Sequence, residues 1–450
     1  SSVYNILHAT EPLSRIIREA EEALDIRISQ VVVGMPKYPV RQESNSVVVN
    51  DRGEDCDITA EDIADLKSYA EDSYPLEDPS KEAIYGVVAQ SFSDSENFQI
   101  IEDDIIGMVS DVLEGHFKIF IGKKSDLNKI DLALNKADLS AARKYFTADS
   151  TAKAVLEDSE MENGVALIDF GGGCTSVAIY HGNIMRHYAS IPFGGKNITD
   201  DIKSECQISE RLAENIKLAF GACMPEKLQS LSEKVLHIRS NNAEPDKQVT
   251  VKYLSEIITA RIEEIMMAML YEIDESGFAD MLRSGIVITG GCAQTANLGS
   301  FIYELSGYRV RTGYPQARIS VSGCDGIKDT TAATSLGLIM AAKEEQCIVN
   351  CAVPRNEGNC EGLVIETADE NPEEGNIWTI TEPEIPQEHE PESEPAEGEL
   401  FADEQIEKVI PHKKQRKSIF NVLWTKAKKV TEEAKEKTGK LLDEISEEEV

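Results

Sequence analysis

A single aspartate and three glycines separate two apolar runs between Ala166 and Gly182, in the stretch ALIDFGGGCTSVAIYHG. Glycines after a strand let backbone N–H groups approach an anion without interference from side chains, which is how proteins bind phosphate. An aspartate at the end of the strand would supply the hard oxygen that a hydrated Mg²⁺ ion prefers. Asp169, Gly171, Gly172 and Gly173 therefore predict a phosphate site, and a tight hairpin without a ligand is the alternative for the glycines alone.

Two further glycine pairs at strand ends favour the phosphate site over the simple hairpin. One pair, Gly194 and Gly195, closes the strand-like segment GNIMRHYASIPFGG, and the other, Gly290 and Gly291, closes GIVITGG. Because a glycine-ended strand occurs at both Asp169 and Thr289, the sequence suggests two similar halves.

The elements around these loops alternate between strands and helices, a pattern that predicts an α/β fold. Thr59 and Asp62 predict a capping box at the start of a helix, and Glu102 to Asp104 are expected in an acidic loop. Strands are predicted at residues 30–35, 82–92, 115–122 and 285–291, with three consecutive strands between 166 and 191. Helices are predicted at residues 11–24, 125–137, 209–220, 250–275 and 330–343.

Composition sets limits on function. The 450 residues carry a formal net charge of −36, so the chain is not expected to bind nucleic acid. No segment approaches the run of about eighteen apolar residues that a membrane span requires. The nine cysteines include no CxxC pair, which favours reduced thiols over a disulfide framework.

The C-terminal part of the chain reverses its charge abruptly. Residues 382–399 carry eight glutamates, four prolines and no lysine or arginine, which predicts a disordered acidic linker. Residues 412–429 hold seven lysines and arginines and no acid, and at helical spacing their bulky apolar residues share one side. This pattern predicts an amphipathic helix lying in an anionic membrane surface, and a helix packed on the protein's own core is the alternative. The predicted membrane-binding residues are Ile419, Phe420, Leu423, Trp424, Lys428 and Lys429.

Five motifs in a fixed order resemble those of the actin-like ATPases, a superfamily that also contains sugar kinases and DnaK-type chaperones. LIDFGGGCTSVAIY is similar to the second phosphate loop, and TGGCAQTANL (289–298) is similar to the adenosine motif. AENIK (213–217) resembles the helix whose Glu214 and Lys217 border the ribose and adenine. Residues 149–164 and 331–340 resemble the first and second connecting helices. Within the superfamily, IPFGGKNITDDI (191–202) and the insert near residues 50–120 are most similar to the bacterial cell-division family FtsA.

The resemblance implies a two-lobed actin-like (ribonuclease H-like) ATPase fold with an FtsA-type inserted subdomain. It implies that ATP and Mg²⁺ bind between the lobes, with Asp169 near the metal and with at most weak ATPase activity. No catalytic residue is assigned, although Asp149 and Ser150 lie near the expected place of a catalytic base. The implied cofactor-binding residues are Asp169, Gly171, Gly172, Gly173, Thr175, Gly194, Gly195, Glu214, Lys217, Gly290, Gly291 and Gln294.

The same resemblance implies an adaptor that attaches FtsZ filaments to the cytoplasmic face of the cell membrane at the division septum. The C-terminal lobe, around residues 220–310, would contact the C-terminal peptide of FtsZ. The insert would contact neighbouring subunits or other division proteins, and the chain would self-associate into actin-like protofilaments. Two alternatives stay open: an actin-like pilus-assembly scaffold ATPase, and an actin-fold sugar kinase, which would need neither the acidic linker nor the basic tail.

The predicted domain boundaries follow the resemblance. They are 1–50 for an incomplete N-terminal lobe, 51–120 for the insert, 121–200 for the rest of the N-terminal lobe, 201–345 for the C-terminal nucleotide-binding lobe, 346–411 for the acidic linker and 412–450 for the amphipathic tail. The first segment is expected to be incomplete because the chain matches the family only from a point just after its first phosphate hairpin. We therefore expect the chain as given to bind ATP weakly or not at all, and to be marginally stable.

Overall fold

A computed structural model describes residues 5–50, 57–94, 96–229, 232–238, 247–315, 325–347 and 351–354. Its strands are β1 (Ile26–Ile28), β2 (Gln30–Gly34), β3 (Val40–Val49), β4 (Glu82–Ser93), β5 (Leu113–Lys123), β6 (Ser140–Tyr145), β7 (Val165–Phe170), β8 (Thr175–His181), β9 (Ile184–Ile191), β10 (Val235–Ile238), β11 (Lys247–Thr250), β12 (Gly285–Thr289), β13 (Val310–Thr312) and β14 (Ala352–Pro354). Its α-helices are α1 (Ile6–Leu24), α2 (Ala60–Asp72), α3 (Glu102–Ile105), α4 (Lys124–Lys136), α5 (Thr147–Val155), α6 (Asp158–Asn163), α7 (Gly195–Cys206), α8 (Glu210–Phe220), α9 (Val251–Glu275), α10 (Leu298–Ser306) and α11 (Ala333–Glu344).

A five-stranded sheet in the order β13-β12-β7-β8-β9 forms the centre of the described fold. β7, β12 and β13 run parallel, whereas β7, β8 and β9 form an antiparallel meander. The predicted α/β class and the three consecutive strands with short connections are confirmed. Parallel strands that carry helices on both faces are buried on both sides and read as continuous apolar runs.

Side chains of β7 alternate between two hydrophobic cores, and this explains why every residue of VALIDF is buried. Ala166, Ile168 and Phe170 join a cluster with α7, α9 and α10, while Val165 and Leu167 join a second cluster with α5 and α11. Each face of the sheet is therefore covered by helices, and the sheet edge at the end of β7 is left for the glycine loops.

Residues between β3 and β5 form a separate layer with a core of its own. An antiparallel sheet in the order β3-β5-β4 packs against α2, and its core includes Leu66, Phe92 and Phe117. The predicted capping box of α2 is confirmed: Thr59 Oγ1 accepts from the Asp62 amide at 3.2 Å, and Asp62 Oδ2 accepts from the Thr59 amide at 2.8 Å. β2 leads directly into this layer from a two-stranded parallel sheet with β6.

Three sequence expectations are corrected by the structure. Glu102 to Asp104 begin the short helix α3 instead of lying in a loop. The first connecting segment is two helices, because Glu157 starts a new capping box with Glu160 after α5 ends. The two glycine-ended strands are not repeats in separate halves: Asp169 and Thr289 are register partners on neighbouring strands of one sheet.

Candidate functional site

The first two glycine loops pack together through their backbones. The β7–β8 hairpin closes with a hydrogen bond from the Gly171 amide to the Cys174 carbonyl at 3.1 Å. The Gly195 amide donates to the Gly171 carbonyl at 3.0 Å, and the Lys196 amide donates to the Gly172 carbonyl at 2.7 Å. A Cβ at Gly195 would lie 2.5 Å from Cys292 Sγ, so a larger residue there would require the Cys292 side chain to move. Gly172 and Gly173 remain exposed at the tip of the hairpin.

The third glycine loop follows β12 and lies against Asp169. Gly290 has a φ of +88°, in the left-handed region that favours glycine. A Cβ there would lie 2.6 Å from the Phe170 carbonyl oxygen and 2.7 Å from Asp169 Oδ1. The missing side chain therefore lets the Gly290 backbone pack closely against the buried Asp169 carboxylate.

Helix α8 contributes Glu214 and Lys217, which form one polar network with α7. The Lys217 ammonium donates to the Gly195 carbonyl at 2.9 Å, to Thr199 Oγ1 at 2.7 Å and to Glu214 Oε2 at 2.8 Å. Burial opposes ionisation of Glu214, but hydrogen bonds from Lys217 and Thr199 outweigh it and lower the pKa of this carboxyl. All three N–H groups of Lys217 are used, so this lysine ties the second glycine loop to α8.

A cavity of about 940 Å³ opens between these loops and α8, a volume in the range of small-molecule sites. Six of the twelve sequence-predicted cofactor residues line it: Gly172, Gly195, Glu214, Lys217, Gly291 and Gln294. The other six, Asp169, Gly171, Gly173, Thr175, Gly194 and Gly290, belong to the loops and strand ends beside it. Thr175 is fully buried and donates its hydroxyl to the Phe193 carbonyl at 2.8 Å, an internal contact that holds the second glycine loop.

Lys37 is a charged residue of the site that the sequence interpretation missed. Its ammonium contacts Asp169 Oδ2 and donates to Thr334 Oγ1 at 3.3 Å. A partial signal was available, because Lys37 closely follows the apolar run VVVG, and Asp169 lies near the end of its own apolar run. Cys292 was also missed; it lines the cavity, and burial raises the pKa of its thiol to about 11.

Asp169 places one carboxylate beside the glycine loops, where its Oδ2 contacts the Lys37 ammonium. Among the described residues, no group of three His, Cys, Asp or Glu side chains could hold a metal. Mg²⁺ in nucleotide sites is held by one or two carboxylates together with phosphate oxygens and water, so Asp169 fits an ion that the phosphates help to hold. Such an ion would neutralise phosphate charge.

Asp149 and Ser150 lie on α5, on the other side of the sheet from α8. Burial raises the pKa of Asp149 despite nearby lysines, and Ser150 donates its hydroxyl to the Phe146 carbonyl at 3.3 Å. Neither residue lines the 940 Å³ cavity, and neither is assigned a chemical role.

Other predicted features lie elsewhere on the chain. The region predicted to contact a peptide contains a cavity of about 250 Å³, lined by Met224, Glu226, Thr259, Phe301, Glu304 and Leu305. Within the described residues, no helix combines the length and apolar character needed to cross a membrane. The predicted membrane-binding residues, from Ile419 to Lys429, and most of the predicted acidic linker lie outside the described residues.

Comparison with known proteins gives consistent matches. Residues 166–337 match the family model "Cell division protein FtsA". The chain is 29% identical over 343 residues to the cell division protein FtsA of Neisseria meningitidis, covering 76% of this chain and 80% of the relative. It is 26% identical over 345 residues to that of Pseudomonas aeruginosa, with the same coverage. The predicted resemblance to the FtsA family is confirmed.

Two solved structures show weaker similarity. A PilM–PilN type IV pilus biogenesis complex is 15% identical, covers 74% of this chain and 85% of the compared chain, and has a TM-score of 0.48. MreB5 of Spiroplasma citri bound to ADP is 15% identical, covers 50% of this chain and 66% of the compared chain, and has a TM-score of 0.41.

Proposed function

From the premise that this chain is a relative of the FtsA cell-division proteins, we propose that it attaches FtsZ filaments to the cytoplasmic face of the cell membrane at the septum. The relation to FtsA over 76% of the chain is the observation that carries this proposal. The basic amphipathic segment at residues 412–429 supports it, because an adaptor of this kind needs a membrane-binding element.

Nucleotide binding is the second part of the proposal. The glycine loops border the 940 Å³ cavity, Gly172 and Gly173 are exposed at the hairpin tip, and nothing lies within 4 Å of a Cβ placed on Gly172, so there is room for the phosphates of ATP with Mg²⁺. Glu214 and Lys217, at the α8 wall of the cavity, suit the ribose and adenine. The nucleotide acts mainly as a conformational ligand with at most weak hydrolysis, so it must bind one conformation of the chain more tightly than another.

Partner binding is assigned to regions of the chain. The C-terminal peptide of FtsZ is proposed to bind around residues 220–310, where the 250 Å³ cavity offers apolar surface with Glu226 and Glu304 at its lining. The layer between β3 and β5 is proposed to contact neighbouring subunits in actin-like protofilaments or other division proteins. Its separate hydrophobic core supports a role as an independent contact module.

Membrane attachment is proposed to depend mainly on apolar insertion. Burying a large apolar side chain contributes roughly 1.5–3 kcal/mol, whereas a basic residue near an anionic surface contributes about 1 kcal/mol. Trp424→Glu is therefore expected to release the full chain from anionic vesicles at physiological salt. Replacement of Lys428 and Lys429 with alanine should weaken binding less, and this loss of binding should shrink as added salt screens the surface charge.

Vesicle co-sedimentation of the two variants tests the proposal. Phosphatidylcholine vesicles without anionic lipid serve as the control for the electrostatic contribution. Full sedimentation of Trp424→Glu together with loss of the double lysine variant would mean that the segment is an electrostatic patch and not an inserted helix. Unchanged membrane attachment after deletion of residues 380–450 would contradict the anchoring function itself.

A further inference from the structure

Lys37 occupies a position that the fold builds with several constraints. The segment after β2 passes beneath α5 and α11, where Gly34 leaves space: a Cβ there would lie 2.9 Å from Thr147 Oγ1. The Met35 amide donates to the Tyr145 carbonyl at 2.9 Å, and the Lys37 carbonyl accepts from the Tyr188 hydroxyl at 2.7 Å. The backbone of this segment is therefore fixed on both sides of Pro36.

The ammonium group of Lys37 is the first donor in a series of hydrogen bonds through two threonine hydroxyls, and the donor and acceptor roles in this series are fixed. Thr151 Oγ1 donates to the Thr147 carbonyl at 2.8 Å, so in its 3.0 Å contact with Thr334 the Thr151 oxygen must accept. Thr334 then donates to Thr151 and accepts from Lys37. The side chain of Lys37 is therefore oriented by α5 and α11 as well as by Asp169.

The Lys37–Asp169 pair lies next to the third glycine loop, which lines the cavity at Gly291. The two side chains are 18% and 9% exposed, and a buried charge of this kind requires a partner. Asp169 Oδ1 faces the position of a Cβ at Gly290, and the next residue, Gly291, lines the cavity together with Thr331. The third N–H of Lys37 has no acceptor among the residues that the structure describes.

We propose that Lys37 is the phosphate-binding cation of this site. Its ammonium neutralises Asp169 when no nucleotide is bound and donates to the terminal phosphate when one is bound. Asp169 would then be the carboxylate that helps to hold Mg²⁺. This inference rests on the proposed nucleotide binding and adds to it a residue from a part of the chain that none of the predicted motifs includes. Without such a cation, the Asp169 carboxylate would repel an approaching polyphosphate.

Binding of ATP and of adenosine to matched variants separates this role from a structural one. Lys37→Gln removes the charge, Lys37→Arg retains it, and Lys129→Gln removes a comparable lysine–aspartate pair on α4, where Lys129 lies 3.0 Å from Asp126. Isothermal titration of the full chain with each ligand, with Mg²⁺ and with EDTA, gives the affinities. Thermal melting without ligand shows whether each variant folds.

The expected pattern is specific to the phosphates. Lys37→Gln should lower ATP affinity about 10–100-fold, as expected for loss of a charge-assisted hydrogen bond, and should leave adenosine affinity within about twofold. In EDTA, the unaltered chain should retain ATP binding that Lys37→Gln has lost. Lys37→Arg should bind ATP more tightly than Lys37→Gln, and Lys129→Gln should behave as the unaltered chain.

Other outcomes overturn the inference in distinguishable ways. Equal losses of ATP and adenosine affinity in Lys37→Gln would make the lysine a structural tether. If Lys37→Gln does not fold, Lys37→Arg takes its place in the test. Equal changes in its ATP and adenosine affinities would also make the lysine a structural tether. Failure of the unaltered chain to bind either ligand would instead remove the proposed nucleotide function, and the role of Lys37 with it.

Discussion

The contact between Gly195 and Cys292 provides a sharp test of how the second and third glycine loops fit together. A Cβ added to Gly195 would lie 2.5 Å from Cys292 Sγ, whereas optimal contacts between heavy atoms are about 3.5–4.0 Å. Its other near neighbours, Lys217 Nζ at 3.6 Å and the Gly172 Cα at 3.8 Å, are at ordinary distances. Among these three atoms, only the sulfur would clash with an alanine side chain at position 195.

The magnitude follows from this single clash. Overpacking a well-packed site costs roughly 1–3 kcal/mol, so Gly195→Ala should destabilise the chain by about that amount. Gly195 is the first residue of α7, and its φ does not lie in the left-handed region, so alanine fits the backbone. Once Cys292→Ala removes the sulfur, Gly195→Ala should become neutral or slightly stabilising, because alanine is the better helix former.

Urea unfolding of the unaltered chain, Gly195→Ala, Cys292→Ala and the double variant, followed by circular dichroism, measures the coupling free energy between the two positions. The double variant should be more stable than the sum of the single variants predicts, by about 1–2 kcal/mol. Gly337→Ala is the control, because its Cβ would lie 2.5 Å from the backbone carbonyl carbon of Ser150, which no side-chain substitution removes. Additive effects of Gly195→Ala and Cys292→Ala would refute the argument, since the cost would then come from elsewhere.

Two further predictions concern the polar networks. Lys217→Met keeps the apolar stem of the side chain but removes three hydrogen bonds. The affinities for adenosine and ATP, measured by calorimetry, should therefore both fall by about tenfold or more. An unchanged adenosine affinity would contradict the assignment of α8 to the ribose and adenine end. Burial, together with the charge of Lys118, lowers the pKa of His187 to about 4, with Gln42 and Glu272 as its hydrogen-bond partners. Because the folded state favours the neutral imidazole, this group's contribution to stability decreases as pH falls from about 6.5 towards 4. Lys118→Met should raise the pKa of His187 in an NMR titration of the imidazole, and a midpoint at or below that of the unaltered chain would contradict the role of Lys118.

Features with a strong local cause could be predicted from the sequence. The run VALIDF gives a strand buried on both faces, and Thr59 with Asp62 gives the start of α2. Strand β3 was missed because it lies at the edge of its sheet and its sequence, VRQESNSVVV, is largely polar where one side meets solvent. The local sequence pattern identifies a strand only when burial of the strand requires apolar residues.

Contacts between distant segments could not be predicted in the same way. Lys37 and Asp169 are 132 residues apart, and no spacing rule relates two residues that only the fold brings together. The break between α5 and α6 also has a distant contribution: Arg311 on β13 donates to the Val155 carbonyl at 3.0 Å and contacts Glu160, the residue that completes the second capping box. The sequence indicated where each strand ends, but it did not indicate which distant residue each strand end contacts.

The position of Lys37 links the nucleotide site to the layer between β3 and β5. Lys37 lies three residues before Val40, the first residue of β3, and its carbonyl is bonded to Tyr188 on the central sheet. A move of the ammonium from Asp169 to a phosphate would therefore take place on the short segment that enters β3. A ligand shifts a conformational equilibrium only through its difference in affinity for the two states. Because Lys37 makes different contacts with and without a terminal phosphate, ATP and adenosine should differ in their effect on the β3–β5 layer.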